Sequence, residues 1–153
     1  LTHNPWFSQV PLQQTKGELM IIESQDLQEK SIIKGGVFMI PLGNHRYRLG
    51  STYNWKDQSE EPTQKAQLRL QQQLDKMIQV PYHIVSQSAG FRPTLPDRKP
   101  VIGVHPQFSQ LAICNGMGSR GVLQAPFCAR SLYDYIEKGS PIPSEISLHR
   151  FKK

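Results

Sequence analysis

The sequence predicts an α+β fold: an antiparallel sheet covered by one helix, then short strands that lead through a glycine turn into a second helix. Three observations predict it. The apolar runs at residues 36–41 and 47–53 flank a five-residue connection, far shorter than the crossover of a dozen residues or more that parallel neighbours need. Residues 61–80 switch to helical periodicity, and Gly116, Gly118 and Gly121 separate the last short apolar run from another helical stripe.

Taken in order, residues 17–22 read as a strand that ends at the polar run Glu23-Ser24-Gln25-Asp26. Residues 36–41 and 47–53 form a hairpin around Leu42-Gly43-Asn44-His45-Arg46, which carries the turn formers Gly and Asn. Within residues 61–80, Ala66, Leu70, Leu74, Met77 and Ile78 recur at i, i+4, i+8, i+11 and i+12. Pro62 suits the first turn of this helix and Pro81 blocks its continuation. Residues 82–86 follow as a strand, then Gly90-Phe91-Arg92-Pro93 with Arg92 at a strand end, and then a loop dense in breakers through Pro96-Asp97-Arg98-Lys99-Pro100. Val101-Ile102-Gly103-Val104 and Leu111-Ala112-Ile113-Cys114 are short strands joined by a turn at His105-Pro106-Gln107. Beyond the glycines, Val122, Ala125, Ala129, Leu132 and Ile136 make the helical stripe, and Gly139 supplies the stop. Residues 139–153, with Arg150, Lys152 and Lys153, read as a solvated tail.

The 153 residues suffice for one ordinary domain or two small ones. No apolar run approaches the roughly 18 residues of a membrane-spanning helix. Cys114 and Cys128 are too few for a disulfide framework, and no signal peptide is visible, so a reducing, cytoplasmic setting is expected. The formal charge of +6 is scattered, a modest lean towards anionic partners without the clustered cations of a nucleic-acid surface. The first residue is Leu1, which suggests a piece of a longer or processed chain.

His3, His45, His83, His105, His149 and the two cysteines make no metal-ligand spacing, so no metal is expected. Both cysteines are expected as buried thiols. No nucleophile with a nearby base is visible; Ser119 lacks the earlier glycine of a G-x-S-x-G elbow because Met117 stands there. Gly116, Gly118 and Gly121 satisfy G-x-G-x-x-G, but the βαβ unit with an acidic residue after its second strand is missing, so the dinucleotide fingerprint is rejected. The N–H groups of such a turn still point outwards with the positive end of a helix dipole. An electron-rich ligand and a plain tight turn are both open readings. Arg92, fixed before Pro93, suits bidentate carboxylate binding, against the alternative of a surface pair with Asp97.

Lys16-Gly17-Glu18, Ile40-Pro41, Gly50-Ser51-Thr52, Gly90-Phe91-Arg92-Pro93, Asp97, Pro100, Ile102-Gly103, Gly116-Met117-Gly118-Ser119-Arg120-Gly121-Val122 and Ala125-Pro126 occur in that order. With them the chain resembles the C-terminal half of the D-amino-acid oxidase-like (DAO) family, on its glycine oxidase-like side. The resemblance implies a substrate-binding part at residues 1–82 and the last strands and C-terminal helix of an FAD-binding domain at residues 83–138. A dinucleotide-binding Rossmann part of the same protein would then supply the grip on the ADP portion of FAD.

The resemblance further implies that Arg92 clamps a substrate carboxylate and that Gly116, Gly118, Ser119, Arg120, Gly121 and Val122 lie beneath the flavin ring. Hydride passes from the carbon bearing the amine to flavin, leaving an imine that water hydrolyses, so no side chain is assigned as a catalytic base. Phe38 stands where glycine oxidase-like members place a tyrosine over the substrate, and Tyr53 lies at another pocket-lining position. The Gly118-Ser119-Arg120-Gly121 turn is also similar to the flavin domain of the enzyme that matures 5-methylaminomethyl-2-thiouridine in tRNA, so tRNA stands as an alternative partner to a small amino acid or amine. A non-catalytic binding module is the rival from another class.

Overall fold

In the computed structural model, which describes residues 4–151, the chain forms β1 (Gln13–Glu23), β2 (Ile33–Lys34), β3 (Phe38–Gly43), β4 (Arg46–Gly50), α1 (Gln64–Leu74), β5 (His83–Thr94), β6 (Val101–Val104), β7 (Ala112–Asn115) and α2 (Gly121–Lys138). His3, Lys152 and Lys153 lie outside the described residues. The strands make a five-stranded sheet in the order β2-β3-β4-β1-β5 and a separate pair, β6-β7. The pairings β1-β4, β2-β3, β3-β4 and β6-β7 are all antiparallel, so the α+β class stands as the sequence predicts. The chain gathers into two units, Lys16–Phe91 and Leu1–Thr15 with Arg92–Lys153.

In the unit Lys16–Phe91, the period-two alternation of strands puts Met20 and Ile22, Met39, and Tyr47 and Leu49 on one face of the sheet. Leu70 and Leu74 of α1 close that core. Cutting either leucine to alanine would cost about 2–5 kcal/mol. The helix is shorter than its periodic stripe. Thr63 caps it, its Oγ1 accepting from Ala66 N–H at 3.2 Å, so Pro62 stands before the helix rather than in its first turn. At the other end Met77 and Ile78 N–H both turn to Leu74 O, a tightening that still delivers Met77 and Ile78 to the core.

The connection from β4 to α1 is bolted to β1 by buried polar groups. Lys16 Nζ donates to Asp57 Oδ2 and Ser59 Oγ, both at 2.8 Å, and to Glu61 O at 2.6 Å, spending all three protons. Glu18 accepts from Thr63 N–H and Oγ1 and from Gln87 Nε2 at 2.7–2.8 Å. Charged groups are rarely so buried unless paired, and here both are.

In the other unit, Leu95, Val101, Ile113 and Leu148 pack with Phe7 and Val10, while Ile102 and Ile146 enclose Cys128. The tail is not solvated throughout, contrary to expectation: Ile146, Ser147 and Leu148 are buried, and Leu148–Phe151 forms a 3-10 turn. The edge of β6 supplies the reason, since Ile102 N–H donates to Ile146 O at 2.8 Å and Ile102 bridges Ser147 in parallel. Gly103 leaves the space that Leu148 fills; a Cβ there would stand 2.7 Å from Leu148 Cβ. Two further expectations change. Strand β5 does not stop at residue 86 but runs on through Phe91, Arg92 and Pro93 to Thr94, and Cys114 is exposed while Cys128 is buried. Burial pushes the Cys128 thiol up from its usual range. Helix α2 buries the side that holds Cys128 and leaves Val122 96% exposed and Ile136 52% exposed.

Candidate functional site

The glycine turn joins β7 to α2 through the 3-10 turn Gly118–Arg120. Gly116 and Gly118 sit at φ +77° and +55°, left-handed values at which other residues are strained. The neighbours enforce the choice: a Cβ on Gly116 would come within 2.8 Å of Leu95 Cδ1, and one on Gly118 within 3.2 Å of Thr94 Oγ1. The outer side differs. Nothing lies within 4 Å of the Cβ position at Gly121, and no side chain caps the start of α2. The first-turn N–H groups lie at the positive end of an 18-residue helix whose start is open at Gly121. Ser119 is exposed; Arg120 is exposed as well, but its Nη2 donates to Arg98 O at 2.8 Å, which commits that side chain to the neighbouring loop.

Arg92 is half-buried near the end of β5. Its carbonyl accepts from Thr15 Oγ1 at 3.3 Å and Thr94 Oγ1 at 3.2 Å, and the two hydroxyls lie 2.8 Å apart. Thr94 in turn bridges Met117. The strand that carries Arg92 is thus stitched, two residues on, to the glycine turn. Asp97, the alternative partner for Arg92, accepts from Lys99 N–H on Oδ1 and from Arg150 Nε on Oδ2. The sequence reading missed Thr15 and Thr94, since threonines in strands carry no signature of their own.

Phe38 and Tyr53 belong to the other unit. Phe38 shares the sheet face opposite α1 with Ile40, Leu19 and Ile21, and in register Phe38 and Leu19 flank Gly50. On that face Arg48 stands between Ile40 and Ile21, exposed; a lone arginine in an alternating strand gave no signal. Tyr53 is half-buried, its ring edge-on to Trp55 at 5.7 Å. A concavity of about 640 Å³ in the same unit is lined by Leu27, Lys30, Pro41, His45, Arg46 and Tyr47, and holds neither Phe38 nor Tyr53. Among the described residues no group of three or more His, Cys, Asp or Glu could hold a metal, and no helix is long and apolar enough to cross a membrane.

A family model described as FAD dependent oxidoreductase (DAO) matches residues 1–135. The chain belongs to this family. Glycine oxidase of Pseudomonas aeruginosa is 26% identical over 137 residues, which cover 88% of this chain and 38% of that protein. Among solved structures, glycine oxidase from Bacillus cereus superposes with a TM-score of 0.71 at 20% identity, covering 87% of this chain and 38% of that one. L-Proline dehydrogenase from P. horikoshii gives 0.75 at 19% identity, covering 93% and 41%. Likeness at these identities speaks for the DAO fold. The chain spans about two fifths of the length of these relatives, and its last 18 residues, 136–153, lie beyond the family match.

The open, uncapped start of α2 fits part of the cofactor this family uses, since main-chain N–H groups there can donate to an electron-rich ring edge. The described residues offer no second strand-turn-helix for a dinucleotide diphosphate.

Proposed function

We propose that this chain is the C-terminal portion of an FAD-dependent oxidoreductase that oxidises the C–N bond of an amino acid or of a secondary amine bearing a carboxylate. What carries the reading is the stitching of the Arg92 strand, at Thr94, to a glycine turn whose helix start is open and uncapped. Residues 1–82 serve the substrate-binding domain and residues 83–138 the FAD-binding domain. Arg92 holds the substrate carboxylate, a role suited to a planar guanidinium with paired donors. Phe38 and Tyr53 line the substrate side. Gly116, Gly118, Ser119, Arg120, Gly121 and Val122 hold the flavin end of the cofactor, with the N–H groups at the start of α2 offsetting negative charge at its ring edge. When bound, flavin supplies the hydride acceptor. The ADP portion falls to a dinucleotide-binding part of the same protein, outside this sequence.

The test is expression of the intact gene. A yellow protein that oxidises a carboxylate-bearing amine is expected, and Arg92→Ala should raise the substrate KM about 100-fold, as loss of a charged anchor does, with flavin still bound. An unchanged KM would remove Arg92 from the site. A colourless full-length product would favour a binding module without catalysis. The formal charge of +6 favours a second reading, flavin-dependent oxidation of a carboxymethylamino group on the tRNA wobble uridine. Steeply salt-dependent binding of tRNA by the full-length protein would select it.

A further inference from the structure

We propose that Arg150, in the tail beyond the family match, is a positioning residue for the cofactor turn, acting through a strained backbone at Arg98. The inference rests on the assignment of the glycine turn to flavin. The loop after β5 makes a turn in which Arg98 N–H donates to Leu95 O at 2.8 Å, with Pro96 at its second position. The chain then passes through Arg98 at φ +57°, a left-handed conformation that non-glycine residues keep only when their surroundings hold them there.

Two guanidinium groups brace this stretch of backbone. Arg120, from the glycine turn, donates from Nη2 to Arg98 O at 2.8 Å. Arg150, from the tail, grips the residues on either side, Nε to Asp97 Oδ2 and Nη2 to Lys99 O, both at 3.2 Å. Its own position is well determined: Nη1 donates to Ser147 O at 3.3 Å, the group stacks 4.3 Å from the centre of the Phe151 ring, and the side chain is only 16% exposed. Planar, with five donors in a fixed fork, arginine can serve these acceptors together; lysine cannot.

The consequence reaches the site. With Arg98 held left-handed, its carbonyl keeps Arg120 parked on the loop and away from the open start of α2. Without Arg150, Arg98 relaxes to an ordinary backbone conformation, its carbonyl turns, and Arg120 is freed at the helix start where flavin is to bind. The same loop packs beneath the turn, Leu95 against Gly116, so its shift loosens the turn as well.

The full-length protein tests this by flavin titration and by hydrogen exchange of residues 94–99 and 116–122. Arg150→Ala should weaken flavin binding about tenfold, the size expected when one strained residue relaxes. It should also speed exchange in both segments. Arg150→Lys should recover only part of each effect. Arg98→Gly is the decisive partner: glycine holds the left-handed conformation without help, so Arg150→Ala in an Arg98→Gly background should lose at most about twofold. A wild-type flavin affinity in Arg150→Ala, or a loss that Arg98→Gly leaves untouched, overturns the proposal. A full-length protein that binds no flavin refutes the functional reading instead; exchange in Arg150→Ala with and without Arg98→Gly then still decides whether the clamp governs the turn.

Discussion

Lys16 shows how much a single side chain can decide. It is 1% exposed, and its ammonium ties Asp57, Ser59 and Glu61 to the first strand. The Lys16 hydrogen bond, followed by those from Ser59, holds the Asp57 carboxyl down to about 2. The unfolded chain takes up that proton near pH 4. The stabilisation is therefore complete above about pH 4 and lost as the pH falls through about 2. In Asp57→Asn the slope of unfolding free energy against pH, measured by urea titration between pH 2 and 6, should be smaller by up to one proton. A slope equal to wild type would mean that Lys16 does not hold this carboxylate. The Lys16-Gly17-Glu18 motif was visible in the sequence as a mark of resemblance, but its work was not, because the partners lie about 40 residues or more away.

Among the elements, α1 was the most legible, since the leucines that make its stripe are the ones its own unit buries. The tail was the least legible. Its prolines and lack of periodicity mimic a solvated end, whereas the unpaired edge of β6 and the gap above Gly103 recruit it. Leu148→Ala should therefore destabilise the chain by about 2–5 kcal/mol in denaturant unfolding, while exposed Ser144→Ala should stay within about 0.5 kcal/mol. Equal, small effects would restore the solvated tail. Strand β5 outruns residues 82–86 and carries Pro93 close to its end, where a proline is tolerated because no ladder donor is needed.

For the molecule as a whole, the open side of α2 is the feature to explain. Val122, Ala129, Tyr133 and Ile136 line one exposed, mostly apolar face, and the chain spans about two fifths of its relatives' length. Under the proposed function, the dinucleotide-binding part covers this face. Replacing Val122 and Ile136 together by serine should then reduce self-association of the isolated chain in sedimentation, and should lower the flavin content of the full-length protein. Improved solubility with undiminished flavin content would place the covering part elsewhere.

By itself the sequence determined the α+β class, the hairpin, the helix α1 and the family, because local periodicity, turn chemistry and ordered short motifs are all written along the chain. Only the tertiary structure decided that Thr94 joins the Arg92 strand to the glycine turn, that the tail pairs with β6, and that Arg120 and Arg150 both donate to the loop at residues 97–99. These depend on which unpaired edges and open gaps meet across 22 to 53 residues of chain. A hydrogen-bond donor does not announce its partner until the backbone has brought the two within 3 Å.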